Sequence, residues 1–184
     1  MYWPQGLTFA GGRTVVSSIE EHRAAGRGSL NLAVLTVSDS RTLETDVSGA
    51  LIEALAVEAG HRVVGREIVR DEPVPMTALL RGFQARDELH AVLVTGGTGI
   101  SPRDQTFETV SALLTKPLPG YGELFRMLSF AEIGPACLLS RALGGLMGKL
   151  VILVMPGSRA AVELAMRKII LPELVHIVGE ARKS

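Results

Sequence analysis

Three short, almost wholly apolar runs are the strongest constraint on the fold of this chain: Leu30–Val37, Ala91–Thr95 and Leu150–Met155. A strand that is apolar on both faces must be covered on both faces, which is typical of parallel sheets packed between helices. Segments with helical periodicity separate the runs, so right-handed βαβ crossovers are expected. The predicted fold class is therefore α/β, a three-layer α/β/α sandwich with a mostly parallel sheet.

Local signals predict the elements between these runs. The N-cap residues Thr45 and Asp46 begin a helix that Gly60 ends, and Pro75 suits the first turn of another. The predicted elements are a second strand over His61–Val69 and helices near Thr106–Leu114, Gly120–Leu128 and after Ser158.

The length of the chain predicts one domain, and its composition predicts no net charge that would attract a charged partner. Residues 1–28 are glycine-rich, charged and weakly periodic, which predicts a partly flexible extension, and residues 29–184 form the predicted domain. Basic and acidic residues number 19 each, which argues against nucleic acid or an anionic membrane as partner. No apolar stretch is long enough to span a bilayer, and the N-terminus lacks the apolar region of a signal peptide, so the cytoplasm is the predicted location.

Cysteine and histidine chemistry is poorly represented in the chain. Its single cysteine, Cys137, excludes an intrachain disulfide and a cysteine-rich zinc site. The four histidines lack metal-ligand spacing, so they are interpreted as surface or packing residues. Cys137 follows Pro135-Ala136 in an apolar stretch and is interpreted as a packed thiol.

The loop after the run Ala91–Thr95 carries the clearest chemical signal. Gly96-Gly97-Thr98-Gly99 lets the backbone approach a ligand and present N–H groups to anionic oxygens. The acid of Arg103-Asp104 would repel a bare phosphate, which points to a bridging Mg²⁺. The loop matches neither the Walker A nor the Rossmann pattern. Taken alone, a glycine-rich turn favours a tight strand-to-helix connection without a ligand. The adjoining Arg103-Asp104 and the other loops described below favour a binding site instead.

Four polar loops follow the predicted strands: Ser38–Arg41, Arg70–Glu72, Thr95–Asp104 and Pro156–Ser158. If the strands are parallel, these loops meet at one edge of the sheet, where such folds bind ligands. The last loop begins a helix without acids in its first turn, which favours an anion, although Ser158 as a simple helix cap explains it equally well.

Acidic residues in the same loops are candidate metal ligands. Asp39, Asp71 and Asp104 supply the oxygen ligands that hard cations prefer. Each is also a common turn residue when taken singly. No serine or cysteine is paired with a histidine in a way that favours covalent catalysis.

From about Leu30 to Leu174, the chain resembles the MoaB/MogA family of molybdenum cofactor biosynthesis proteins, which also includes the G domain of gephyrin-like proteins. The stretch Phe125–Phe130 followed by Glu132-Ile133-Gly134 is closer to the MoaB branch. The other motifs that carry the resemblance are Leu35–Asp39, Thr95–Gly99, Pro102–Asp104, Pro119–Glu123, Leu139–Ala142 and Met155–Ser158.

The resemblance implies a molybdopterin-binding fold and, in active members, adenylylation of molybdopterin with Mg-ATP and release of pyrophosphate. Asp71 and Asp104 match the functional, Mg²⁺-binding aspartates of the family. One departure is Phe107, where many relatives place proline, and it is predicted to alter the helix start more than the chemistry. The motifs further imply substrate- or nucleotide-binding roles for Ser38, Asp39, Gly96, Gly97, Thr98, Gly99, Glu123, Ser140, Arg141, Pro156, Gly157 and Ser158.

Two other functions are compatible with the same motifs. One is a non-catalytic molybdopterin-binding or scaffold protein that uses the same pocket without turnover. The other is a metal-insertion enzyme of the MoeA type, for whose additional domains a chain of 184 residues leaves no room. The motifs do not separate molybdenum from tungsten pathways.

Self-association is expected as well. The apolar content of 47% and the exposed-looking helix Phe125–Phe130 suggest a surface for a partner subunit. The family resemblance implies a trimer, or a hexamer made of two trimers.

Overall fold

A computed structural model describes residues 28–183. The extension predicted for residues 1–28 therefore lies, apart from Gly28, outside the described residues. The described part contains one sheet in the order β2-β1-β3-β6-β5-β4, with β2, β1, β3 and β6 parallel and β5 antiparallel to both of its neighbours. The strands are β1 Asn31–Val37, β2 Arg62–Val69, β3 Ala91–Thr95, β4 Lys116–Pro117, β5 Leu143–Met147 and β6 Leu150–Met155.

Helices separate most of these strands, as the periodicity predicted. Two short irregular helices accompany them: a 3₁₀ helix, Gly134–Leu139, and a π-helical turn, Met166–Ile170. The α-helices are α1 Val47–Glu58, α2 Pro73–Gln84, α3 Thr106–Leu113, α4 Pro119–Ile133, α5 Arg159–Ala165 and α6 Leu171–Arg182. None of the helices within residues 28–183 combines the length and apolar character needed to cross a bilayer.

Two hydrophobic cores, one on each face of the sheet, confirm the three-layer architecture. Leu32 and Val34 of β1 pack with α1, α4, α5, the π turn and α6. Leu35 points to the opposite face and packs with α2 and α3. These three side chains are completely buried, and each stabilises the fold by about 1.5–3 kcal/mol.

A buried carboxylate joins the end of β1 to the start of α1. Asp46 is the N-cap, as predicted, and its Oδ1 accepts the backbone N–H of Gly49 at 2.9 Å. Its Oδ2 accepts the hydroxyl of Thr36 at 2.8 Å. A side chain at Gly49 would overlap this carboxylate, so glycine is required there. The cap therefore fixes the polar loop between β1 and α1.

The edge formed by β4 and β5 was not predicted from the sequence. Glycine disfavours strands intrinsically, yet Gly144 and Gly145 lie in β5. A side chain at Gly144 would come within 2.8 Å of Leu153 Cδ2, and one at Gly145 within 2.6 Å of the Lys116 carbonyl, so only glycine fits there. Close tertiary approach thus overrides local propensity.

Three predicted boundaries also shift. The strand predicted from His61 begins at Arg62, because His61 lies in the connection and its Nδ1 accepts the backbone N–H of Leu30 at 3.4 Å. The helix predicted after Ser158 continues through the π turn into α6, which ends at Arg182. The helix predicted over Gly120–Leu128 extends to Ile133.

Candidate functional site

The four polar loops meet at one edge of the sheet, which confirms the predicted convergence. Val37 pairs with Val69 across β1 and β2, and Thr95 aligns with Met155 across β3 and β6. The backbone N–H of Gly96 donates to the Met155 carbonyl at 3.3 Å. The carboxyl ends of the parallel strands are therefore level, and their loops share one surface.

Three of these loops, those after β1, β3 and β6, line a cavity of about 360 Å³, here called the strand-end cavity. Most of its wall is backbone and short polar side chains. The residues that line it are Val37, Ser38, Ser40, Arg41, Gly96, Gly97, Thr98, Gly99, Asp104 and Gly157.

The glycine loop presents its backbone to this cavity. Gly96 and Gly97 have φ of 96° and 62°, which other residues rarely adopt. A side chain at Gly97 would also come within 2.5 Å of Asp71 Oδ2 and still closer to the Thr106 hydroxyl. The N–H groups of Gly97, Thr98 and Gly99 make no hydrogen bond within the described part of the chain. They remain available to an anionic ligand.

Asp71 and Asp104 form an acidic pair beside the glycine loop. Asp71 Oδ1 accepts the backbone N–H of Gln105 at 3.0 Å, and Asp104 Oδ2 accepts that of Ser101 at 3.0 Å. Burial raises the pKa of Asp71, and the charges of Asp104 and Asp39 raise it further against the opposing effect of the Gln105 hydrogen bond. A cation bound between the two acids would relieve this repulsion.

The two carboxylates of Asp71 and Asp104 suit Mg²⁺ better than they suit a metal whose ligands all come from the protein. Residues 28–183 contain no cluster of three or more acidic, histidine or cysteine side chains able to hold a metal. Mg²⁺ is usually bound by one or two carboxylates, with water and substrate phosphates completing its shell. Asp71 and Asp104 fit that pattern, provided that a phosphate-bearing ligand enters with the ion.

Asp39, the third acid considered as a metal ligand, is already paired with arginines. Its carboxylate lies 2.5 Å from Arg103 Nη2 and 3.6 Å from Arg70 Nε. The hydrogen bond from Arg103 lowers the pKa of Asp39 despite its partial desolvation. This acid therefore pairs with two arginines at the cavity rim, and its single negative charge offsets only one of their two positive charges.

Arg141 fixes the glycine loop from the opposite side. Its Nε donates to the carbonyl of Thr98 at 3.0 Å, and its Nη2 donates to the carbonyls of Gly99 and, at 3.3 Å, of Asp104. Its Nη1 donates to Glu108, which lowers the pKa of that acid. These contacts occupy the guanidinium with the protein itself.

Phe107 supports Arg141, a role that sequence reasoning missed. The guanidinium carbon lies 5.1 Å from the centre of the Phe107 ring, which permits a cation–π contact. Helix α3 begins at Thr106, and Gln105 is an N-cap without a side-chain hydrogen bond. Phe107 therefore contributes to the environment of Arg141, and its effect on the helix start stays a prediction.

The Pro156-Gly157-Ser158 turn is held from three sides. Ser158 caps α5 by accepting the N–H of Ala161 at 3.2 Å, as one of the two sequence interpretations expected. The hydroxyl of Thr95 donates to the Pro156 carbonyl at 3.2 Å, and that of Ser48 donates to the Gly157 carbonyl at 2.8 Å. These bonds place Gly157 in the cavity wall.

Glu123 and Ser140 lie away from the strand-end cavity. Glu123 lines a second cavity of about 260 Å³, here called the α3–α4 cavity, with Phe107, Arg126 and Ala142 among its other lining residues. Ser140 follows the 3₁₀ helix, and its N–H donates to the carbonyl of Cys137 at 2.9 Å. Cys137 itself is buried, as predicted for a packed thiol.

Sequence reasoning also missed one residue that lines the strand-end cavity, Arg41, and one that lies behind its glycine loop, Thr106. Arg41 lines the cavity although only its loop, and not its side chain, was singled out. The Thr106 hydroxyl, beside Gly97, is buried without a hydrogen-bond partner among the described residues. Its place after the Asp104 loop was the only available signal.

The fold is that of an α/β protein with a candidate site at the carboxyl ends of the parallel strands of its sheet. Residues 33–176 match the family described as a probable molybdopterin binding domain. The chain belongs to this family of molybdenum cofactor biosynthesis proteins.

Related proteins match this chain in sequence and in fold over most of its length. Molybdenum cofactor biosynthesis protein B of Bacillus cereus is 48% identical over 169 residues, covering 91% of this chain and 99% of the relative. The crystal structure of a molybdenum cofactor biosynthesis protein B has a TM-score of 0.83 at 47% identity, covering 85% of this chain and 98% of that one. The tungsten cofactor synthesizing protein MoaB from Pyrococcus furiosus has a TM-score of 0.74 at 34% identity, with coverages of 84% and 98%.

Proposed function

We infer that this protein acts in molybdenum cofactor biosynthesis as a molybdopterin adenylyltransferase that uses ATP and Mg²⁺. The single observation that carries this inference is the strand-end cavity, where unpaired backbone N–H groups adjoin the acids Asp71 and Asp104. N–H groups suit phosphate oxygens, and acids suit a cation that accompanies them. The match to a molybdopterin-binding family supplies the acceptor.

In the proposed reaction, an oxygen of the molybdopterin phosphate attacks the α-phosphorus of ATP. A new P–O bond forms there, and the bond from the α-phosphorus to the oxygen bridging to the β-phosphate breaks. Pyrophosphate leaves with the bonding electron pair, and the product is adenylylated molybdopterin. The protein contributes positioning and neutralisation of charge rather than covalent catalysis.

Each part of the cavity has a role in this scheme. Asp71 and Asp104 would hold Mg²⁺, which supplies positive charge to the reacting phosphates. The N–H groups of Gly97 to Gly99 would bind phosphate oxygens. Arg141 would keep this loop in place through its bonds to the carbonyls of Thr98, Gly99 and Asp104.

We propose that the protein self-associates through the outer face of α4 and the 3₁₀ helix. The apolar surface anticipated over Phe125–Phe130 is divided, because Phe125 is buried and Phe130 is 58% exposed. Other exposed apolar residues extend the same face: Met127, Ile133, Leu138 and Leu139. Apolar surface of this extent favours a partner, and the family resemblance suggests a trimer or hexamer. Light scattering that showed a monomer at micromolar concentration would contradict this.

The decisive test is incubation of the protein with molybdopterin, ATP and Mg²⁺, followed by detection of adenylylated pterin and pyrophosphate. Both products are expected, and both should disappear when Mg²⁺ is chelated. Binding of molybdopterin without product formation would favour the non-catalytic binding protein instead.

A further inference from the structure

Three of the four arginines considered at this edge of the sheet have close partners. Arg70 pairs with Glu72 and Asp39, Arg103 pairs with Asp39, and Arg141 is occupied by three carbonyls and Glu108. Arg41 differs from these three. Its guanidinium has one ionic contact within residues 28–183, from Nη1 to Asp46 Oδ1 at 3.6 Å, and its side chain is 37% exposed.

Asp46 is well suited to hold Arg41 without occupying it. Its side chain is 0% exposed, and the Thr36 hydroxyl and the Gly49 N–H already bind its two oxygens. The arginine is therefore attracted by a charge that it does not contact at hydrogen-bond distance. A buried carboxylate is costly without a cation nearby, so the two side chains stabilise each other while the guanidinium keeps its N–H groups.

The backbone of Arg41 is fixed at the same place. Its N–H lies 3.3 Å from the Ser38 hydroxyl oxygen, and that of Ser40 lies 3.4 Å from the same atom. Ser38, Ser40 and Arg41 all line the strand-end cavity with the glycine loop and Gly157. Arg41 and the glycine loop with its unpaired N–H groups thus line the same cavity.

We propose that Arg41, oriented by the buried Asp46, binds phosphate oxygens of the ligand in the strand-end cavity. The proposal rests on the proposed function, since it assigns a phosphate-bearing ligand to the same cavity. A guanidinium matches a phosphate with two parallel N–H donors, which an ammonium group does not reproduce. Arg41 and Mg²⁺ would then together offset the negative charge of the ligand's phosphate groups. Asp46 acts as a positioning residue for Arg41.

The first experiment compares Arg41→Gln, Arg41→Lys and a control, Arg81→Gln, by calorimetric titration with inorganic pyrophosphate and Mg²⁺. Arg81 is exposed on α2 and bonds to Gln84 at 3.0 Å, so its loss leaves the cavity intact. Arg41→Gln should weaken binding about tenfold or more, as expected for loss of a charged hydrogen-bond donor. Arg41→Lys should fall between, and Arg81→Gln should match the wild type.

The second experiment removes the charge of Asp46 with little change of shape. In Asp46→Asn, the amide oxygen can still accept the Gly49 N–H, while the amide nitrogen can donate to Thr36. If Asp46 positions Arg41, the KM for ATP and the dissociation constant for pyrophosphate should rise several-fold, with kcat changed less. Combining Asp46→Asn with Arg41→Gln should add little to the effect of Arg41→Gln alone. Thermal unfolding of each variant identifies a general loss of stability.

The choice of anion separates the two sources of phosphate. A loss of affinity for pyrophosphate and ATP, with inorganic phosphate unaffected, assigns Arg41 to the nucleotide. A loss for inorganic phosphate alone assigns it to the phosphate monoester of the pterin. Equal affinities in the wild type and Arg41→Gln for all three anions would overturn the proposal, as would a wild type that binds none of them.

These titrations need no turnover, so the two proposals can fail separately. Loss of anion binding in Arg41→Gln, with no adenylylated pterin from the wild type, would keep Arg41 and reject the adenylyltransferase. Adenylylation that proceeds unchanged in Arg41→Gln would support the adenylyltransferase and reject the role of Arg41.

Discussion

The strand-end cavity and the α3–α4 cavity are neighbours, but they are lined by different kinds of residues. The first is lined by glycines, short polar side chains, Arg41 and Asp104. The second is lined mainly by apolar side chains, with Glu123 and Arg126 at its edge. Arg141 and Phe107 connect them, because Arg141 holds the glycine loop and Phe107 lines the α3–α4 cavity.

The difference indicates how affinity for a composite ligand can be divided. Backbone N–H groups and charges recognise phosphates, whose position must be fixed for reaction. Apolar walls favour a flat organic group and are less demanding about its orientation. Changes at the acids and the glycine loop of the strand-end cavity should therefore affect turnover. Changes at Arg41 should affect affinity for phosphate groups, and changes in the α3–α4 cavity should affect affinity for the organic part of the ligand.

The largest effect is expected for Asp104→Asn. Loss of one of the two Mg²⁺-binding acids should lower turnover on the order of 100-fold, since a metal ion contributes several kcal/mol to transition-state stabilisation. Pterin binding should survive. Kinetics with Glu123→Gln as the matched control would show a change in KM without a change in Mg²⁺ dependence. Near wild-type turnover by Asp104→Asn would remove this acid from the mechanism.

Asp71 extends that prediction through a double-mutant cycle. If Asp71 and Asp104 bind one Mg²⁺, the two Asn variants should each raise the Mg²⁺ requirement, and their effects on turnover should be non-additive. The measurement is turnover against Mg²⁺ concentration for the wild type, both single variants and the double variant. Additive losses would show that the acids act independently.

Arg141→Lys should have the next largest effect, because it disturbs the boundary between the cavities. A lysine keeps the charge but cannot bond in the same fork to the carbonyls of Thr98, Gly99 and Asp104. A decrease in kcat/KM of about tenfold is expected, as for loss of one to two hydrogen bonds. Arg103→Lys at the rim serves as the comparison and should change kcat/KM much less.

Phe107→Leu should have a smaller effect, concentrated in the α3–α4 cavity. It removes a cation–π contact of about 0.5–1 kcal/mol with Arg141 and changes the apolar wall. Affinity for the pterin should change by a few-fold at most, and kcat should stay near the wild-type value. Fluorescence or calorimetric titration checks this; a large loss of kcat would mean that Phe107 acts mainly through the glycine loop.

The smallest effect concerns stability and pH. Burial raises the pKa of Asp71 in the folded protein, so its contribution to stability is present in acid and is lost as the pH rises through that pKa. Asp71→Asn should therefore raise the unfolding temperature at neutral pH, on the order of 1 °C. The gain should shrink on acidification. A lower unfolding temperature for Asp71→Asn at neutral pH would indicate that the charged form is stabilised instead.

The centre of the sheet was predictable because three of its parallel strands, β1, β3 and β6, are covered on both faces. Leu150–Met155 contains no polar residue, and the glycine loop after Thr95 marks the end of β3 clearly. Strand β5, in contrast, contains Gly144 and Gly145, which leave room for Leu153 and Lys116, and hydrophobic periodicity does not reveal such close contacts.

The site was predictable to the level of loops, but less so to that of individual side chains. Asp71 and Asp104 follow from strand ends and family motifs, and they lie beside the same glycine loop. The engagement of Arg141 with the glycine loop depends on contacts more than 30 residues apart in the chain, which a local pattern does not reveal. The cytoplasmic location, ATP and Mg²⁺ remain predictions.

Gly97 has a consequence for recognising inactive relatives. Its φ of 62° and the closeness of Asp71 and Thr106 would exclude a side chain whether or not a nucleotide ever binds. A descendant that had lost turnover would therefore still inherit this glycine, because folding alone preserves it. The glycine loop therefore indicates shared ancestry only. Whether a relative has kept the proposed activity has to be judged from the acids beside the loop, Asp71 and Asp104.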